Sequence, residues 1–161
     1  MSITIRHDFR PGDIGYVIYM HGKFYSEIYG FDTTFDGYVA EPMGIFAKNF
    51  NPERERLWIA EKDSQIVGSI AMVQVDENTA QLRWFILMDA ARGQGIGRKL
   101  INQAIQFCRD AGYKQILLWT ASQLDAAKYL YESSGFELTE SVTHEIWGVH
   151  LTEERYDLSL E

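Results

Sequence analysis

The chain has 161 residues, 46% of them hydrophobic, which is enough to fill one core without disulfide or metal staples, so a single domain over 1–161 is expected. Lys and Arg number 15 against 23 Asp and Glu, a net charge of −8, and so acidic a surface repels phosphate backbones and anionic lipid. Nucleic acid and membrane are therefore excluded as favoured partners, whereas a cationic small molecule such as an amine is attracted. The single cysteine, Cys108, has no internal partner and falls in an amphipathic pattern, where a thiol serves as a small hydrophobe. The opening Met1 to Asp8 lacks an apolar stretch of signal-peptide length, and the densest apolar run, Trp84 to Met88, stops at Asp89. The expectation is a cytoplasmic protein.

In chain order, Ile3 to Arg6 alternates as a short strand. Pro11-Gly12-Asp13 then opens a helix with Ile14, Val17, Ile18 and Phe24 near helical spacing, broken at Gly30. Asp32-Thr33-Thr34 supplies oxygens to cap a second helix running toward Phe50, with an irregularity expected at Pro42. From Leu57 the pattern is that of strands: Leu57 to Glu61, Ile66 to Val75 and Ala80 to Met88, joined by short polar turns that imply an antiparallel meander. Leu100, Ile101, Ala104, Ile105 and Cys108 form one helical face that ends at Gly112, and Ile116 to Trp119 reads as a buried strand. Strand, helix and strand make one parallel crossover. Ala126, Ala127, Leu130 and Tyr131 mark a last helix stopped at Gly135, and Phe136 to Leu160 supplies two strands around Gly148. The fold class is α+β: a mixed, mostly antiparallel sheet flanked by helices.

The sharpest local feature is Arg92-Gly93-Gln94-Gly95-Ile96-Gly97, between a strand and a helix. Such a turn aims successive N–H groups into one concavity, glycine admits a ligand close to the backbone, and the helix dipole favours negative charge. A pyrophosphate cradle and a plain glycine-rich turn both fit. Gly97 is followed by Arg98-Lys99 rather than Lys-Ser or Lys-Thr, so no magnesium-ligating hydroxyl is supplied, and the G-x-G-x-G spacing after a meander is not the dinucleotide fingerprint. Four His and one Cys, without H-E-x-x-H or C-x-x-C spacing, give no reason to expect a metal site.

The stretch resembles the acyl-coenzyme A loop, R/Q-x-x-G-x-G/A, of the GNAT superfamily of N-acetyltransferases, matched by Arg92, Gly95 and Gly97. Ala127 to Phe136 is similar to that superfamily's second signature, A-x-x-L-Y-x-x-x-G-F, through Ala127, Leu130, Tyr131, Gly135 and Phe136. The segment His21 to Phe31 and the tail also resemble the acetyltransferase halves of fusions with MarR-type regulators. The resemblance implies acetyl-CoA as co-substrate, with its pyrophosphate on Arg92, Gly93, Gln94, Gly95, Ile96, Gly97 and Arg98. It also implies that the backbone of Phe85, Ile86 and Leu87 faces the pantetheine arm and thioester, and that Tyr131 donates to the departing thiolate. Many members carry Asn seven positions before that tyrosine; Leu124 stands there instead. Direct attack by the amine of a small molecule in a ternary complex is the expected reaction, with a homodimer the assembly suggested. A protein acetyltransferase and a non-catalytic acyl-CoA sensor are the alternatives. Tyr25, Tyr29, Phe31 and Phe35, interleaved with Glu27 and Asp32, suit a cationic or aromatic acceptor, and Glu27 and Tyr29 are the candidate substrate residues. For the general base, Glu27, Asp32, Glu41, His21 and His144 are eligible by type alone.

Overall fold

A computed structural model describes residues 2–161. In chain order the elements are β1 (Thr4–Arg6), α1 (Asp13–Tyr29), α2 (Thr33–Lys48), β2 (Arg56–Lys62), β3 (Gln65–Gln74), β4 (Thr79–Leu87), α3 (Ile96–Asp110), β5 (Gln115–Ala121), α4 (Asp125–Ser133), β6 (Glu137–Ile146) and β7 (Val149–Ser159). The strands form one seven-stranded sheet in the order β1-β2-β3-β4-β5-β7-β6. Among the described residues only β4 and β5 pair in parallel; the other pairs are antiparallel. The α+β expectation, with one crossover through α3, describes this architecture.

Both faces of the central sheet are covered, which explains why its strands read as nearly continuous apolar runs. In β2, Leu57 and Ile59 pack with Val17, Met20, Val39, Met43 and Phe46 of α1 and α2, while Trp58 and Ala60 join Leu100, Ile101, Ala104 and Cys108 of α3 on the other face. Cys108 is fully buried, and burial pushes its thiol up to about 12, consistent with its role as core filler. Asp32 caps α2 by accepting from the Thr34 N–H at 3.0 Å. Pro42 lies inside α2, which runs on through it to Lys48, so the expected irregularity does not break the helix. Trp147 and Gly148 take φ of 55° and 80° in the β6–β7 turn, the conformation a tight two-residue hairpin requires. Among the described residues no helix is long and apolar enough to cross a membrane.

Candidate active site

The site is made by two strands that part. β4 pairs with β5 only from Thr79–Gln115 to Gln81–Leu117. Beyond that point β4 stays with β3 as far as Leu87, and β5 stays with β7 as far as Ala121. The β5-facing edge of Leu82 to Leu87 therefore has no strand partner, and its last part, Phe85 to Leu87, borders a cleft of about 530 Å³. A β-bulge accompanies the parting: between Ser69 and Ala71 the register gives β4 one extra residue, and Trp84 takes φ 52°. Buried Ser69 pins this strained turn by donating from Oγ to the Trp84 carbonyl at 2.7 Å. The uninterrupted apolar run at this point gives no sign of the bulge.

The glycine loop closes one end of the cleft. Gly93 and Gly95 have φ of 74° and 76°, and a Cβ on either would meet no protein atom within 4 Å. Gly95 is the N-cap of α3 and offers no side-chain acceptor, so the first-turn amides are left facing open space. Gly97 differs: a Cβ there would sit 2.9 Å from Leu130 Cδ1 and 3.1 Å from Leu87 Cδ1, so its bare backbone lets α3 close onto α4 and β4. The Arg92 guanidinium lies 5.2 Å over the Phe24 ring and donates from Nε to the Leu87 carbonyl at 3.2 Å. Arg98 donates to the hydroxyls of Ser133 and Ser134, tying α3 to the end of α4. Phe85, Ile86, Leu87, Arg92, Gly93, Gly95, Ile96, Gly97 and Arg98 all line the cleft. Gln94 does not; its exposed amide bonds back to the Ala90 carbonyl at 3.0 Å. Open space over two left-handed glycines, an uncapped helix start and two flanking arginines fit a pyrophosphate, and an elongated cleft along a free strand edge fits a pantetheine arm.

A smaller chamber of about 130 Å³ adjoins the cleft, sharing Tyr25, Phe85, Leu124 and Ala127 with it. Its other walls include Phe31, Phe35, Tyr38, Trp84, Trp119 and Trp147, with Arg83, His21 and Glu153 as its ionisable groups besides the tyrosines. Tyr131 lines this chamber, is 4% exposed, and packs against Phe85 and Phe136 at centroid distances of 6.0 and 5.9 Å. Among the described residues its hydroxyl has no hydrogen-bond partner, and burial raises its pKa far above the ordinary value, so it is a protonated phenol at neutral pH.

His21 is also buried; its Nδ1 lies 2.8 Å from the Val17 carbonyl. That oxygen can only accept, so Nδ1 carries the proton and Nε2 is the acceptor, while burial lowers the imidazole to about 4. Glu153 meets His144 Nε2 at 2.6 Å. Leu124, immediately before α4, gives both cavities an apolar wall, where the asparagine that the resemblance leads one to expect would offer a polar one.

Of the two candidate substrate residues, Tyr29 lines the cleft rather than the chamber, and Glu27 lines neither. Glu27 instead pairs with Lys23 at 3.0 Å, one turn away on the exposed face of α1. The residues missed at the chamber are Arg83, Glu153 and Trp147. Arg83 was findable as the one charge inside the apolar β4, whereas nothing local in β7 distinguishes Glu153 from its acidic neighbours. Among the described residues no cluster of His, Cys, Asp and Glu could hold a metal ion.

The chain resembles several known proteins. It is 32% identical over 111 residues to human N-acetyltransferase 8 (65% of this chain, 49% of that one), and 38% identical over 103 residues to the Rattus norvegicus N-acetyltransferase 8 (60% and 46%). The chain thus spans about half the length of the curated relatives it matches. A GNAT acetyltransferase of Staphylococcus aureus superposes with a TM-score of 0.78 at 20% identity, covering 99% of this chain and 100% of that one. A Salmonella typhimurium protein solved with its cofactor acetyl-CoA gives 0.77 at 17% identity, covering 100% and 95%. These neighbours share the fold. The likeness of His21 to Phe31 to MarR-type fusions finds no support in these relatives, and the aromatic pattern there is accounted for by packing against Phe35 and Trp147. Residues 22–136 match the acetyltransferase (GNAT) family, more than half of the sequence and both signatures, and the chain belongs to that family.

Proposed function

We propose that this protein is an acetyl-CoA-dependent N-acetyltransferase acting on the amine of a small molecule. The observation that carries the reading is the parting of β4 from β5 directly above the glycine loop, which leaves one free strand edge and one uncapped helix start on the same cleft. Acetyl-CoA would supply the activated acetyl group. Its pyrophosphate would rest on the amides between Gly93 and Gly97, with Arg92 and Arg98 nearby, and the free backbone of Phe85 to Leu87 would hold the pantetheine arm and polarise the thioester carbonyl. In the reaction the acceptor nitrogen forms a bond to the acetyl carbon, the carbon–sulfur bond breaks, and a proton from the amine is matched by one gained by the departing thiolate.

Tyr131 is the donor in this scheme, because a phenol kept protonated by burial beside the cleft can give its proton to sulfur. Glu153 is the base we assign. His21 is neutral at physiological pH and can accept a hydrogen bond at Nε2, whereas Glu153 is the one carboxylate among the residues that line the chamber and attracts an ammonium as well as accepting its proton. The small chamber supports a small acceptor over a folded protein surface, since a group attacking there must fit among aromatic side chains in about 130 Å³.

Incubation with acetyl-CoA, a panel of small amines and, separately, whole protein substrates tests this. N-acetylated small amines are expected; acetylation confined to protein lysines or amino termini would favour the protein-modifying alternative.

A further inference from the structure

The small chamber is not simply acidic. Arg83, from the middle of β4, enters it between Tyr38 and Trp84, its guanidinium carbon 5.9 and 5.3 Å from their ring centroids. Among the described residues it makes no hydrogen bond and has no carboxylate within ion-pairing distance, although acids outnumber bases in this chain 23 to 15. Glu153 lines the same chamber but is turned to His144 at 2.6 Å. Partial burial lowers the Arg83 pKa, because the half-buried cation has no carboxylate beside it to offset the water it loses. A flat guanidinium with its N–H groups unused, stacked in an aromatic chamber, matches a carboxylate in both charge and shape.

We propose that the acceptor is an amino carboxylate, its carboxylate held by Arg83 in the chamber and its amine turned toward the cleft. The proposal rests on the acetyltransferase reading and narrows its substrate class. One cation and one anion in a single small chamber complement a molecule that carries both charges, and they argue against a simple alkylamine. They also argue against protein lysines and amino termini, whose amines have no free carboxylate beside them.

Trp84, Trp119 and Trp147 line the chamber, so intrinsic fluorescence reports its occupancy without any turnover. The probe is 3-phenylpropionate, titrated against its neutral amide in the native protein, in Arg83→Met and in Arg83→Lys. The acid is expected to bind about tenfold or more tighter than the amide, with that preference lost in Arg83→Met and only partly kept by the point charge of Arg83→Lys. In parallel, kcat/KM for phenylalanine is expected to exceed that for phenethylamine by a similar factor in the native enzyme alone. Equal affinity for acid and amide overturns the proposal, as does a preference that survives Arg83→Met, even if amines are acetylated. Acetyl-CoA that binds but releases no thiol with any amine overturns the acetyltransferase reading and the proposal with it. Should Arg83→Met fail to fold, the comparison of acid with amide, and of phenylalanine with phenethylamine, in the native protein decides alone.

Discussion

Gly95→Ala separates the cradle from the fold. Gly95 has φ 76°, so any side chain there carries the left-handed penalty of about 1–2 kcal/mol, but a Cβ meets no protein atom within 4 Å. The methyl group therefore has no steric cost in the free protein beyond backbone strain. With acetyl-CoA bound, that same open space is where the pyrophosphate would approach. Gly112, at the opposite end of α3, has φ 88° and equally empty surroundings, and it lines none of the cavities described here. Gly112→Ala is thus a matched control, with the same strain and the same free space but no ligand. Urea denaturation is expected to show both variants destabilised by about 1–2 kcal/mol. Calorimetric titration with acetyl-CoA is expected to show at least a tenfold loss of affinity in Gly95→Ala and native affinity in Gly112→Ala. Unchanged affinity in a folded Gly95→Ala variant would show that the loop is only a turn.

Tyr131→Phe is expected to lower turnover toward the bottom of the roughly 10²–10⁴-fold range of general-acid catalysis, or somewhat below it, with acetyl-CoA affinity kept; native turnover with chemistry rate-limiting would leave Tyr131 a packed aromatic. His21 titrates at about 4 when folded and at about 6.5 when unfolded. The unfolded chain binds the extra proton between those values, so the stability from keeping His21 neutral is full above pH 6.5 and is lost as pH falls toward 4. It amounts to about 2 kcal/mol between pH 7 and pH 5, and urea midpoints at the two pH values should differ less in His21→Leu than in the native protein. Ser69→Ala leaves the buried Trp84 carbonyl without its 2.7 Å donor, and a loss of about 1–2 kcal/mol in urea unfolding is expected. Acetyl-CoA binding measured in EDTA is expected to equal that in magnesium, because the loop offers amides and no metal-ligating hydroxyl; a fall in affinity on chelation would contradict this.

Much of the fold was legible because its signals are local. The apolar face of α3 and the polar turns between β2, β3 and β4 each lie within a few residues, and α3 begins at Ile96, inside the glycine stretch and about one turn before Leu100, the first residue of the apolar face read from the sequence. The glycine turn was legible for the same reason, because Gly93, Gly95 and Gly97 fall within five positions and the first two take the left-handed conformation the turn requires. The acceptor side was harder to read. Glu27 falls in an attractive aromatic and acidic stretch, yet α1 turns it to solvent beside Lys23, and only the packing of α1 against the sheet decides which face a helical residue presents. Glu153 reaches the chamber from β7, more than a hundred positions from His21, through strand pairing that no local pattern encodes. The bulge at Trp84 was invisible because period-2 alternation cannot register one inserted residue inside an apolar run.

The most direct test of the central claim uses acetyl-CoA carrying an isotopic label in the acetyl group, incubated with the protein and one small amine, with released thiol and labelled N-acetyl product counted together. The account predicts thiol and product in equal amounts, each dependent on both the protein and the amine. Binding of acetyl-CoA without amine-dependent thiol release would contradict it and would leave the cleft as a sensor of acyl-CoA.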